Sequence, residues 1–468
     1  MIEEFEYEGE WWLPSKPEKR IRGNLTFAPE EGISLRLVGI DLEDIIEILK
    51  PHERIILGLS ANGKEITLCN PMPVETSGHH PGACYCRFLA EVAFLGAHFK
   101  KVEDIKFADI WIKFSYLDDW LQISGFKKIC QCDEEFTVEY RRPKDLLVNI
   151  NKNLQICIVF ALQNPGCDIF RAVQNEVHVK QEAWIGVIPS GKRSLEDLLP
   201  TIYQIQNFLT MATAKLVYPL SIKCRTEHKE EEKSVSVFYR ISGIEKPAKL
   251  LGQGSMLFPF KTISKQFPFL LRNWFKKGDS LGPVYSLYFG ALYAPEMYPT
   301  NKFLNIIQAI ESFHRRTMKN YELKENQHQK RIADILNLVP VKYKDWLSKQ
   351  LNYSNEPNLR KRLKEILSLS PKALLKIIDS QEAFIQKILD TRNYLTHYDP
   401  HLKDKAAKGE ELLGLTLKLI VVLQSLLLRE IGFSSETTER LVTNLVERGF
   451  RLLVQSPRHL YQIGAMPI

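Results

Sequence analysis

The sequence contains no glycine-rich phosphate loop and no Gly-x-Ser-x-Gly elbow, which argues against a P-loop nucleotide enzyme and an α/β-hydrolase. It also lacks an uninterrupted apolar run long enough for a bilayer. The greasiest stretch, Leu412 to Leu428, is broken by Lys418 and Gln424 and followed by Arg429. A span needs about 20 apolar residues, so a buried bundle helix is expected there and no membrane partner. The opening MIEEFEYEGE is acidic and has neither the basic nor the apolar region of a signal peptide, so a cytoplasmic protein is expected. Cysteine is missing from the second half. All eight cysteines lie between Cys69 and Cys224, and in a cytosolic chain they are expected to be reduced.

Cys84 and Cys86 follow Gly78-His79-His80, but their one-residue gap is not the wider spacing of zinc knuckles. Cys130 and Cys132 repeat the gap, and strand alternation puts such pairs on one face as buried thiols. No metal and no cofactor are therefore expected. His79, His80, Cys84 and Cys86 are the set that a rival reading, a zinc-dependent enzyme or sensor, would use.

What is present is an ordinary globular composition, 44% hydrophobic and 25% charged, over 468 residues. That length predicts two to four domains. The formal net charge of +7 is unevenly spread. Residues 301–468 hold 27 Lys and Arg against 18 Asp and Glu, an excess of +9, and the first 300 residues hold 36 against 38. A local basic excess is the footprint of a nucleic-acid binder, and solvated helix faces leave the same trace.

From Met1 to about Ile241 the texture is β. Ile21, Leu25 and Phe27 alternate, Glu30-Glu31-Gly32 turns, and Ile33, Leu35 and Leu37 alternate again, which predicts a hairpin. Ile55 to Leu57, Asn62-Gly63 and Ile66 to Leu68 predict a second. Further strands are expected over 84–94, 105–114, 136–140, 154–162, 177–188 and 235–241. Ser194 and Asp197 cap one helix, whose stripe is Leu198, Ile202, Ile205 and Leu209. Trp11 and Trp12 could stack on a ligand, or one could be core while the other lines a groove. The stretch 246–259 reads as a connector, and 269–275 and 284–293 as short aromatic helices.

The remainder predicts an antiparallel bundle of four or five helices. Thr300 or Asn301 can cap a helix that carries Phe303, Ile306, Ile307, Ile310 and Phe313 on one face, with Glu311 and Arg315 as an i,i+4 pair. Ser370-Pro371 starts another, and a long helix is expected from about Glu410 to Ile431. Between them, Asp379 or Ser380 can cap a helix with Glu382 completing a capping box, and Phe384, Ile385, Ile388 and Leu389 form its buried face. It leads into TRNYLTHYDP, Thr391 to Pro400. Run on to Tyr398, the helix shares one side between Asn393 and His397, sets Arg392 beside them, and ends near Pro400. A second Arg and His, Arg171 and His178, occupy a β-like run and are read as a decoy.

The Arg-Asn-x-x-x-His form at a helix end in an all-helical domain resembles the HEPN ribonuclease family. The opening GEWWLPSKPEKRIRGNLTF, Gly9 to Phe27, resembles the N-terminal domain of ApeA-type anti-phage proteins, which join that domain to a HEPN domain. The resemblance implies a metal-independent endoribonuclease that cuts host RNA, possibly tRNA, after infection, with the N-terminal domain as sensor of an unknown phage-derived trigger. It implies that a polar residue of the Phe303 helix, here Glu311, approaches the Arg/His pair. It also implies a homodimer or higher even oligomer through the C-terminal bundle, with two pairs across one cleft.

The residue types permit that chemistry. RNA carries its own nucleophile, the 2′-hydroxyl. His397, with an unperturbed pKa of about 6.5, can move its proton, and Arg392 can fork onto the phosphate as charge develops. Asn393 can orient either through its amide. Arg315, Arg316, Lys330 and Arg331 are the cations expected to meet RNA. The expected fold is α+β: a β-rich sandwich or barrel-like domain over 1–245, a connector over 246–297, and a helical HEPN-like bundle over 298–468. Besides the zinc reading, the rival is a non-catalytic RNA-binding and dimerisation protein.

Overall fold

The computed structural model describes residues 3–40, 54–77, 84–131, 136–163, 179–227, 232–241, 251–294, 296–378 and 380–447. The chain divides into two compact units, Met1–Arg272 and Asn273–Ile468. The strands of the first are β1 (Phe5–Trp12), β2 (Ile21–Ala28), β3 (Gly32–Val38), β4 (Ile55–Ser60), β5 (Glu65–Cys69), β6 (Met72–Ser77), β7 (Tyr85–Ala90) and β8 (Val92–Leu95). They continue with β9 (Asp109–Phe114), β10 (Phe126–Gln131), β11 (Phe136–Tyr140), β12 (Leu146–Asn151), β13 (Leu154–Gln163), β14 (Lys180–Pro189), β15 (Pro219–Glu227) and β16 (Glu232–Tyr239). Short helix α1 (Leu117–Leu121), the long α2 (Leu195–Thr213) and α3 (Phe260–Ile263) are set among and after them.

Fourteen strands join one antiparallel sheet in the order β12-β13-β14-β9-β15-β16-β8-β5-β4-β1-β2-β3-β7-β6. Both predicted hairpins are there: Leu25 pairs with Leu35 across β2 and β3, and Leu57 with Thr67 across β4 and β5. The sheet curls. Arg240 Nε donates to the Glu30 carbonyl at 2.7 Å and the Ile241 amide to the Pro29 carbonyl at 2.9 Å. The end of β16 is thereby held at the β2–β3 turn, and Phe238 packs edge-on against Phe5 and Phe27 inside the curl. Alternate residues of seven strands, among them Leu25, Leu35, Ile66, Leu68 and Phe88, fill that interior.

Trp11 is the centre of this core. It is fully buried, and its place depends on glycine. Gly58 stands opposite it on β4, where a Cβ would collide with the six-membered ring, and Gly23 on β2 lies beside its Cδ1 edge. Trp12 is buried too, with the Arg20 guanidinium 4.4 Å over its ring and His98 edge-on at 5.3 Å. Both rings are therefore engaged by the protein itself, and the ligand-stacking alternative gives way to a structural one.

Other differences have local causes. The stretch expected as one strand over 84–94 is two, because the Glu91 amide turns to the Cys69 carbonyl. The strand expected from Ile105 begins at Asp109, after a 3-10 turn at Val102–Asp104. The helix of the Ser194 capping box matches expectation, with Leu198, Ile202, Ile205 and Leu209 all buried.

The second unit is helical. The two aromatic helices expected over 269–275 and 284–293 are one, α4 (Phe267–Tyr293), which runs through Gly282 and Pro283. Trp274 and Tyr285, both buried, stack with ring centres 4.5 Å apart. There follow α5 (Pro299–Thr317), α6 (Glu325–Leu338), α7 (Val341–Leu351), α8 (Leu359–Ser368), α9 (Lys372–Lys376), α10 (Gln381–His397), α11 (Gly409–Ile431) and α12 (Ser435–Glu447). Helix α5 is capped at Tyr298, two or three residues before its expected caps, because Pro299 takes the N1 position. Helices α5, α9 and α12 pack on α11, and α5 also packs on α8 and α10. Among the described residues α11 alone is long and apolar enough to cross a membrane, and most of it is buried within the protein.

Gly58→Ala should lower stability by about 1–3 kcal/mol through overpacking against Trp11. Gly191→Ala, where the new methyl meets open space, should be close to neutral. Thermal unfolding of the two variants against the parent checks the difference.

Candidate active site

The end of α10 is built by three local devices. Ser380 caps the start, its hydroxyl accepting from the Ala383 amide at 3.3 Å. That puts Glu382 at the second helical position, one short of a capping box, and its carboxylate instead pairs with Arg360 and Lys364 of α8. Phe384, Ile385 and Ile388 are buried as their spacing predicts. The far end is closed by Tyr398, which adopts the left-handed conformation at φ 52° while its amide donates to the Tyr394 carbonyl. Thr391 is fully buried, and its hydroxyl accepts from the Ala407 amide at 2.9 Å. This bond ties the last two turns of α10 to the segment entering α11.

On that anchored end, Arg392 and Asn393 are half-buried and His397, the last helical residue, is exposed. Arg392 Nη1 donates to Asn393 Oδ1 at 3.2 Å, and Thr396 Oγ1 donates to the Arg392 carbonyl at 2.7 Å. Among the described residues the Arg392 guanidinium meets no carboxylate. Asp390, the nearest in sequence, accepts from Gln386 Nε2 at 2.8 Å. A half-buried arginine whose recorded partner is a neutral amide keeps most of its donors for a ligand. After Tyr398, Asp399 caps a 3-10 turn at Pro400–Leu402 by accepting from the His401 amide at 3.0 Å. His401 is exposed, so a second imidazole stands four residues beyond His397 at the same helix end. Sequence reasoning passed over it, though the spacing His-x-x-x-His is visible.

The other candidates are placed differently. Glu311 is half-buried on α5, within electrostatic reach of Arg362, and among the described residues no hydrogen bond joins it to Arg392, Asn393 or His397. Arg315 does not pair with Glu311; its guanidinium bonds to Glu356 Oε2 at 2.5 Å. Arg316, Lys330 and Arg331 are exposed.

Behind Arg315 lies a buried network that the sequence did not disclose. His314 is fully buried on α5. Its Nδ1 faces Arg362 Nη1 at 3.0 Å and its Nε2 faces Glu365 Oε2 at 2.6 Å. A guanidinium can only donate, so Nδ1 is the acceptor and Nε2–H donates to Glu365. Arg362 Nη2 donates in turn to Glu356 at 3.1 Å. Burial, and then the charge of Arg315, pull the Arg362 pKa below its ordinary value, against Glu356, Glu311 and Glu365. The cluster joins α5 to α8, and α8 is in turn clamped to α10 by Arg360 on Glu382 and Gln386.

In the N-terminal unit Cys86 is buried in the core, within 3.5 Å of Thr76 Oγ1, and burial raises its thiol pKa. Cys84 is half-buried. His79 and His80, the Cys132 residue and the Arg171/His178 decoy lie outside the described residues, as does the side chain of Cys130. Among the described residues no group of three His, Cys, Asp or Glu is placed to hold a metal.

Comparison with known families gives two matches. A family model described as ApeA N-terminal domain 1 matches residues 6–274, and one described as Apea-like HEPN matches residues 304–437. Searches of curated proteins and of solved structures return no match.

His314→Phe should destabilise the helical unit by about 1–3 kcal/mol, because the buried Arg362 guanidinium loses its acceptor at Nδ1. Urea unfolding followed by circular dichroism checks this.

Proposed function

The chain belongs to the ApeA family of anti-phage HEPN proteins, and on that premise we propose that it is a metal-independent endoribonuclease acting on host RNA in the cytoplasm. The observation that carries the reading is the uncommitted Arg392 beside exposed His397 on one anchored helix end. Elsewhere on α5 and α8 the arginines Arg315, Arg360 and Arg362 are neutralised by carboxylates. Arg392 differs from these three, in a region whose net charge favours a polyanion.

In the proposed reaction neutral His397 takes the proton of an RNA 2′-hydroxyl, whose oxygen attacks the adjacent phosphorus. Arg392 donates to the non-bridging oxygens as negative charge builds, and Asn393 holds the guanidinium through its carbonyl. The 5′-oxygen leaves and takes a proton from a second motif histidine, present as the imidazolium. A 2′,3′-cyclic phosphate and a 5′-hydroxyl result. The second imidazole comes from the same motif in another copy of the chain, which makes a homodimer or higher even oligomer through the helical unit part of this proposal. Arg316, Lys330 and Arg331 serve as phosphate contacts, Arg315 joining them on release from Glu356, with Glu311 as an accessory polar group and tRNA as a candidate substrate. The N-terminal domain holds the nuclease in check until a phage-derived trigger arrives.

The test is cleavage of total cellular RNA with EDTA present, by wild type and by Arg392→Ala/His397→Ala, with and without extract of infected cells. Cutting by wild type that leaves cyclic phosphate ends, and a fall of at least about 100-fold in the double variant, are expected. Ends bearing 3′-hydroxyls, or cutting abolished by EDTA, would overturn the mechanism. Since His397 is exposed and the half-buried Arg392 bonds only to the neighbouring Asn393 side chain, the double variant should keep its circular dichroism spectrum.

A further inference from the structure

Helices α6 and α7 leave the bundle. They pack chiefly on each other, joined through Val339 and Pro340. Among their residues only His328 is buried, and α7 has no buried residue. The base of this arm is stapled. The Glu322 amide donates to the Asn355 carbonyl at 2.8 Å, and the Asn355 side chain bonds the Leu323 amide and carbonyl at 2.9 and 3.0 Å. His328 Nε2 meets Ser354 Oγ at 3.0 Å. The arm is therefore a fixed feature of the helical unit, and it carries aromatic side chains outward.

Trp346 is 60% exposed. Of the other six tryptophans, Trp11, Trp12, Trp120 and Trp274 are buried and Trp111 and Trp184 half-buried. Tyr343, three residues before Trp346 and so on the same face of α7, is exposed, and the Lys342 ammonium lies 4.8 Å from its ring centre. Cations lie near these rings: Lys342 and Lys344 flank Tyr343 in the chain and α6 adds Lys330 and Arg331, while Lys349 is paired with Asp345 at 3.0 Å. Over residues 325–351 five Lys and Arg face three Asp and Glu.

We propose that the α6–α7 arm binds a single-stranded segment of RNA, with Trp346 and Tyr343 stacking on bases and Lys330, Arg331, Lys342 and Lys344 meeting phosphates. Exposed aromatics interleaved with cations are the composition of surfaces that track single strands without reading sequence. Cores of protein–protein interfaces are depleted in lysine, whereas here Lys342 lies against the Tyr343 ring and Lys344 follows it in the chain. The arm's tip, Leu338 and Val341, is apolar and exposed, and contact between two copies of the chain is the rival occupant. The choice of RNA as the polyanion rests on the ribonuclease reading.

The experiment uses the full-length chain with His397→Ala, so that bound RNA stays intact, and a fluorescein-labelled oligouridylate of about 16 nucleotides, a generous single-site length. Fluorescence anisotropy at fixed salt should show Tyr343→Ala/Trp346→Ala weakening binding by about tenfold or more, while Trp346→Phe stays within about threefold of the parent because the π-face remains. Both positions are exposed, so an unchanged melting temperature is expected alongside. Unchanged affinity in the double variant overturns the proposal, as does failure of the parent to bind. A fall in molar mass by light scattering with affinity unchanged would instead make the arm a contact between copies. Cleavage by chains with His397 intact is measured in parallel. Cutting that depends on Arg392 and His397 but not on the arm removes this inference and leaves the nuclease. Arm-dependent binding without any cutting does the reverse.

Discussion

The helical unit depends on burying α11. Every side chain from Leu419 to Leu428 is inside, including Gln424 and Ser425, where Gln424 Nε2 donates to Tyr288 Oη and Ser425 Oγ to the Val422 carbonyl. A helix apolar on all sides must be covered on all sides. Helices α5, α9 and α12 do part of that covering, and α5 then offers its remaining flank to α8 and α10. The position of the Arg392/His397 end follows from this demand. It is reached through α5, and it is secured by one buried hydrogen bond from the Ala407 amide to Thr391.

Charge pairing sharpens the site. Helix α8 is crowded with cations, and each of Arg360, Lys361, Arg362 and Lys364 lies against a carboxylate: Glu382, Glu322, Glu356 and Glu382 again. These pairs are mostly exposed, and each adds little to stability. What they do is consume positive charge on that face. Among the described residues, Arg392 at the helix end and Arg316, Lys330, Arg331 and Lys342 on α5, α6 and α7 meet no carboxylate, whereas Arg315 and Lys349 do. The basic excess of residues 301–468 is thus partitioned by the fold into neutralised and available groups, a distinction that a count of Lys and Arg does not contain.

The N-terminal unit answers a different constraint. A fourteen-stranded antiparallel sheet would expose too much apolar surface if it stayed open, and β16 returns to the β2–β3 turn to enclose the core around Trp11. Two glycines opposite and beside the indole make room for it. The tryptophan pair that reads in sequence as a stacking surface is, in three dimensions, a ring sunk in a core and a neighbour covered by Arg20.

The sequence by itself determined the order of β then α, both glycine-turn hairpins, the Ser194 capping box, the limits of α11 and the motif at the end of α10. All of these are local. They rest on period, turn chemistry and caps that act within a few residues. The expected division into helices over 269–275 and 284–293 failed because the residues between them, Gly282 and Pro283 included, are helical too. The Glu311–Arg315 pair failed because Glu356, distant in the chain, is the better-placed partner for Arg315. The His314 network and the exposure of Trp346 were likewise illegible, since burial of one residue depends on which distant helices cover it. Tertiary structure alone decided which cations are paired, which aromatics are core, and that α6 and α7 stand apart from the bundle, because those outcomes depend on contacts between segments that no local pattern specifies.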